Sequence, residues 1–223
     1  MSIVLFLTGA CWCSFLTTMT WRKLFFRSCS FNQRSVCDHC KQIIRWYHLI
    51  PIIGYVIQKG KCKQCGKPIN RFWITTEILS AFLWMEFPIF SISDAIIFIL
   101  VDSCMLITCT EDWFTQKFNG AWLISIGFLH WLTIMEPFQI LTIGYVVIWS
   151  VCYWYRKIGN GDVDFILLAI LSCGATVANQ MIFLACFFSL FHPKLFHKVA
   201  IPFLPFLWCG LFLSLIIKKH ALV

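Results

Sequence analysis

Acidic residues are scarce in this chain. There are ten Asp and Glu among 223 residues, and from Arg22 to Arg71 there is only one, Asp38. Charge of either sign makes up 13% of the sequence, against 60% hydrophobic residues and a mean hydropathy of +0.79. That leaves too little polar surface to clothe a soluble domain of this size, so a multi-pass (polytopic) membrane protein is expected. Positive charge is missing ahead of the first apolar run, Ile3 to Trp21, and appears straight after it as Arg22 and Lys23. A cleaved signal peptide carries its charges in front. The run therefore reads as a retained helix with its N-terminus outside. No nucleic-acid-binding motif accompanies the basic residues, so no nucleic-acid partner is expected.

What is present falls into three parts: a first transmembrane helix over 1–21, a polar loop over 22–71 and an apolar core over 72–223. The loop holds Arg22, Lys23, Arg27, Arg34, Lys41, Arg45, Lys59, Lys61, Lys63, Lys67 and Arg71, eleven of the eighteen Lys and Arg. By the positive-inside rule it is cytoplasmic, and its charge also attracts anionic lipid. Further apolar spans are expected at about 72–91, 94–111, 119–135 and 138–155. The run that follows Asp162 extends to Leu190, too long for one untilted crossing at roughly 20 residues each. The small and polar residues Gly174 to Gln180 divide it into a hairpin of two short helices, and 201–217 forms the last span.

This gives an all-α fold of eight transmembrane helices, or seven if 163–190 is one tilted helix. With eight, Lys117, Arg156, Lys157, Lys194 and Lys198 join the loop on the cytoplasmic side. Sixteen of eighteen basic residues then obey one orientation, and only Lys218 and Lys219 do not. The expected location is the plasma membrane, with the lipid bilayer as permanent partner.

Thirteen cysteines raise the question of disulfides. Four of them form two pairs in the polar loop, Cys37-Asp38-His39-Cys40 and Cys62-Lys63-Gln64-Cys65. Most of the rest lie in apolar spans, where free Cys behaves as a small hydrophobe. Paired Cys-x-x-Cys turns present two thiolates each, the soft tetrahedral set that zinc takes. Four protein ligands leave no open position, so Cys37, Cys40, Cys62 and Cys65 are expected to hold a structural Zn²⁺. A thioredoxin-like redox pair and two local disulfides are the competing readings, and the first lacks its βαβ context.

A carboxylate at the hydrocarbon edge is costly, and so marks a functional site by default. Asp162 stands there, in Ile158-Gly159-Asn160-Gly161-Asp162-Val163, where glycines let another backbone come close. Asp112, in Thr110-Glu111-Asp112-Trp113-Phe114, is expected at the same cytoplasmic depth. Asp102 is ten residues up its helix, roughly 15 Å deeper at 1.5 Å per residue. Besides Asp112, Glu111 and Asp164 are the other acids within reach of Asp162. Two carboxylates at close range cannot both ionise, and so share a proton. The ionised one can take a proton from water while the other protonates a scissile carbonyl oxygen. The bland alternative is that each Asp caps a helix at the interface. The Gly-x-Gly-Asp run itself looks like the signature of membrane aspartic proteases of the GxGD type.

With both motifs in place the chain resembles the type IV prepilin peptidase family, close to the short competence-pilus enzymes of Gram-positive bacteria. The resemblance rests on Cys13-Ser14-Phe15-Leu16, Arg34 to Cys40, Leu49-Ile50-Pro51-Ile52-Ile53-Gly54-Tyr55, Gly60 to Cys65, Arg71 to Glu77, Gly159 to Asp162 and Ile201 to Leu207, in the family's order. It implies an integral membrane aspartic endopeptidase that cuts the basic leader from prepilins and pseudopilins after a Gly, at the cytoplasmic face. Asp112 and Asp162 would be the catalytic pair, with Gly159 and Gly161 in the active-site loop. Many members also methylate the new N-terminus with S-adenosylmethionine, and there Glu77 and the cysteine loop are implicated. Three positions depart from the pattern: Thr115-Gln116-Lys117-Phe118 lacks an Ile-Pro, and Leu204 and Ala81 stand where Gly is usual.

Two rivals remain. A presenilin or signal-peptide-peptidase type of protease would carry Tyr-Asp where Glu111-Asp112 stands, and has no counterpart of the cysteine loop. A zinc-stabilised membrane scaffold or transporter would use both Asp residues only as helix caps.

Overall fold

The apolar stretch near the N-terminus becomes a single long helix. In a computed structural model of the chain, which describes residues 2–25, 34–86, 92–117, 160–192 and 201–221 with positions 147, 150, 151 and 154, α1 runs Ser2–Phe25. Its 24 residues span about 36 Å, enough to cross a hydrocarbon core of roughly 30 Å. Arg22 and Lys23 close its last turn, where cations complement the helix dipole. Among the described residues it is the helix long and apolar enough to cross a membrane by itself.

The described residues are mostly helical, with two isolated β-bridges, Val36 to Ile43 and Lys61 to Pro68, in the cysteine loop. After α1 come a 3₁₀ turn at Trp46–His48, the short α2 (Ile53–Ile57), α3 (Arg71–Glu86) and α4 (Ile92–Thr115). Then follow α5 (Asn160–Cys173), α6 (Ala175–Ser189) and α7 (Leu204–Ala221). The expected spans at 119–135 and 138–155 lie outside the described residues except for isolated helical positions. The basic turn at Pro193 to Lys198 lies outside them altogether.

The chain forms two compact units, 1–88 and 89–223. In the first, α1 and α3 pack as an antiparallel pair. Ring contacts mark its two ends, Phe6 against Phe82 and Trp21 against Trp73. Between them α1 buries Gly9, Ala10, Cys13, Thr17 and Thr20, recurring every three or four residues as one helix face. Small residues there let the two backbones approach closely. A side chain at Gly9 would run into Trp84, and Ser80 Oγ donates to the Gly9 carbonyl at 3.2 Å.

In the second unit α6 and α7 pack closely, with Gly210 seated against the Met181 carbonyl where no side chain would fit. The run after Asp162 is broken as expected, but by one residue. Gly174 has φ +90° and ψ 161°, a conformation open essentially to glycine alone, and the helix resumes at Ala175. The small and polar residues up to Gln180 are thus the first turns of α6 rather than a loop.

Candidate active site

Each unit brings together residues that are distant in sequence. In the first, the two cysteine pairs fold as equivalent turns. Lys41 N–H donates to the Cys37 carbonyl and Gly66 N–H to the Cys62 carbonyl, both at 2.9 Å. The residue after each second cysteine takes a left-handed backbone, Lys41 at φ 59° and Gly66 at φ 71°. The four Sγ atoms of Cys37, Cys40, Cys62 and Cys65 lie within 4.8 Å of one another, and Cys37 and Cys65 are 3.9 Å apart. A tetrahedral ion at Zn–S distances of about 2.3 Å needs its sulfurs roughly 3.8 Å apart, so the donor set fits zinc. Backbone N–H groups of Cys65 and Gln64 bond the Cys62 sulfur and lower its thiol to about 7, whereas the Cys40 thiol, despite its backbone bond from Gln42, is raised to about 11 by burial and the neighbouring sulfurs.

Glu77 lies on the buried face of α3. Its Oε2 accepts the Ile52 N–H at 2.7 Å, and its carboxylate also bonds Ser14 of α1. Three of the segments singled out in the sequence, around Ser14, Ile52 and Glu77, therefore meet at one carboxylate. Beside it is a cavity of about 450 Å³ lined by Glu77, Ser14, Trp21, Trp73, Tyr55 and His48, among others.

In the second unit the C-terminal end of α4 meets the N-terminal ends of α5 and α7. Asp112 is 7% exposed, and its Oδ2 accepts the N–H of Leu204, the first residue of α7, at 3.1 Å. That N–H is one of the donors a helix start leaves without an intrahelical partner. Asp162 lies in the first turn of α5, where the dipole favours an anion. The charge that Asp162 meets is that of Asp112. Asp112 and Asp162, fifty positions apart in sequence, thus lie within electrostatic range of each other, while Asp102, also on α4, is buried ten residues away. Gly161 is in the first turn of α5, and Gly159 lies outside the described residues.

Two features of this corner were not anticipated. The His192 ring packs edge-to-face between Trp113, next to Asp112, and Phe206, two residues past Leu204. Seventy-nine positions of sequence separate His192 from Trp113, and no local pattern joins them. The cap from Asp112 to Leu204 spans 92 positions, and its one clue is that 204 lies three residues into the expected last span, 201–217.

Residues 7–90 match the family described as the bacterial peptidase A24 N-terminal domain, which coincides closely with the first unit. The chain is 26% identical over 144 residues to a prepilin leader peptidase/N-methyltransferase of Bacillus subtilis, covering 62% of this chain and 52% of that protein. It is 30% identical over 152 residues to one of Dichelobacter nodosus (61% and 53%), and 27% over 157 residues to one of Stutzerimonas stutzeri (63% and 54%). The resemblance read from the sequence is therefore borne out. The chain spans about half the length of these curated relatives. No solved structure matches.

Proposed function

We propose that the chain is a membrane aspartic endopeptidase of the GxGD type that removes the basic leader of prepilins or pseudopilins, after a Gly, at the cytoplasmic face. What supports this is that Asp112, which caps α7, lies within electrostatic range of Asp162 in the first turn of α5, in a chain similar to proteins named prepilin leader peptidase. One carboxylate would hold a proton and the other would be ionised. The ionised one takes a proton from water, which adds to the scissile carbonyl carbon. The protonated one gives its proton to the carbonyl oxygen. Helix starts at Asn160 and Leu204 supply N–H groups and partial positive charge that steady the ionised form. The like charges of the basic loop and a basic leader are reconciled in part by anionic lipid between them.

The Cys37, Cys40, Cys62 and Cys65 cluster would hold a structural Zn²⁺ that closes the loop. N-methylation of the new N-terminus is the finer proposal. S-adenosylmethionine would supply the methyl group as a sulfonium cation. The cavity beside Glu77 suits such a group, with a buried carboxylate and the aromatic side chains Trp21, Trp73 and Tyr55 in its wall. There Glu77 and the rings would bind and orient the donor.

Co-expression with a prepilin whose basic leader ends in Gly tests the proposal. The expected product starts one residue after that Gly, with or without one added methyl. A panel of prepilins and pseudopilins left wholly uncut would count against it. The cap that Asp112 places on α7 favours a second reading, a zinc-stabilised scaffold in which this Asp is structural. That reading predicts that Asp112→Asn, which keeps the cap, leaves all function intact.

A further inference from the structure

Between the two knuckles lies a short segment that lends His48, Leu49, Ile50 and Tyr55 to the cavity beside Glu77 and also carries an apolar surface of its own. Trp46, Leu49, Ile50, Ile53, Val56 and Ile57 are all exposed, Trp46 at 72% and Val56 at 62%. Six large apolar side chains in twelve residues make a patch that water would not stabilise.

The backbone behind this patch is bonded inwards. His48 and Leu49 donate to Arg45 and Trp46 carbonyls, Ile53 and Gly54 to Pro51 and Ile50, and Val56 to Ile52. Gln58 Nε2 bonds the carbonyls of Gly54 and His48 at 3.0 and 3.3 Å. Gly54 sits against the His48 carbonyl with no room for a side chain. Inward backbone bonds and outward apolar side chains suit a segment where water is sparse.

Its depth can be read from one bond. Ile52 has φ 62° and ψ −56°, the strained γ-turn hand that a β-branched residue rarely adopts, closed by Ile53 N–H to the Pro51 carbonyl at 2.6 Å. The Ile52 N–H reaches Glu77, which lies six residues, or about 9 Å, along α3 from its start at Arg71. Even with the Glu side chain leaning back towards the helix start, the turn lies at or below the mouth of α3. Cations bracket the segment, Lys41 and Arg45 before it and Lys59 and Lys61 after it, and no acidic residue occurs between Asp38 and Glu77.

We propose that residues 46–57 are a re-entrant wedge seated in the headgroup–acyl boundary of the anionic leaflet at which α1 ends and α3 begins. Trp46 and the aliphatic residues enter the lipid, while the flanking Lys and Arg meet its phosphates. The occupant of the patch is thus anionic phospholipid. The knuckles staple the wedge at both ends. This inference rests on the membrane reading of α1 and α3 and not on the peptidase chemistry.

The test uses the full chain in nanodiscs, with p-benzoylphenylalanine placed at Trp46, Ile53 or Val56, or at Lys63 on the exposed second knuckle. Metal content equal to that of the parent chain confirms an intact loop. Upon irradiation in discs containing phosphatidylglycerol, the first three positions should form lipid adducts, at several-fold higher yield than Lys63 and than the same positions in pure phosphatidylcholine discs. Lipid adducts no more frequent than at Lys63, equal yields in both lipids, or adducts only to an added prepilin would each overturn the proposal. The last outcome would make the patch a substrate surface instead.

Discussion

The backbone N–H of Leu204 donates to Oδ2 of Asp112 across 92 positions of sequence, joining the end of one helix to the start of another. The same carboxyl group is the charged neighbour of Asp162. One side chain therefore has a structural task and, in the proposed mechanism, a chemical one, and substitutions can separate them.

Asp112→Asn keeps an oxygen to accept the Leu204 N–H, whereas Asp112→Ala does not. The Ala variant should be less stable than the Asn variant by about 1 kcal/mol, the usual worth of a helix cap. Thermal unfolding in one detergent checks this. Equal stabilities would mean the bond contributes nothing.

Cleavage should follow a bell-shaped pH profile. At the acid end both carboxyl groups are protonated and no base remains. At the alkaline end both are ionised and no proton donor remains. A rate that climbs to a plateau and stays there would point to a single base and against a shared proton.

The knuckles should hold one zinc per chain, measured by elemental analysis of reduced protein. Cys37→Ser or Cys65→Ser should bring this close to zero and expose the loop to protease. Full metal content in either variant would remove these residues from the ligand set.

Gly66 and Lys41 occupy the same place in the two knuckles, both with left-handed backbone. Gly66→Ala should cost about 1–2 kcal/mol, all of it backbone strain, since nothing lies within 4 Å of the added carbon. Lys41→Gly relieves the same strain and should be neutral or better. Resistance of bound metal to a competing chelator ranks the three proteins. Gly66→Ala matching the parent would show that the turn tolerates a side chain there.

What could be read from sequence was local or periodic. Ile3 to Trp21 becomes α1 because a long apolar run unbroken by proline favours one continuous helix. The cysteine turns are legible because each closes within five residues, and their meeting across twenty-one more follows from the chemistry of one ion. The break after Asp162 was legible at Gly174, but not that the helix resumes at once, since Ala175 and its neighbours tolerate helix and loop alike. Long-range pairings without a matching motif were hidden. The ring of His192 between Trp113 and Phe206, and the strained turn of Ile52 against Glu77, depend on how helices approach one another. No spacing within either segment encodes that approach.

The most direct test of the central claim is processing of a Gly-ended prepilin co-expressed with the parent chain, Asp112→Asn or Asp162→Asn, each quantified for membrane insertion. The shared-proton mechanism predicts cleavage by the parent, and a loss of at least about 100-fold in both variants at equal insertion, the scale of lost acid–base catalysis. Full processing by either variant would contradict it and leave the two carboxylates as caps.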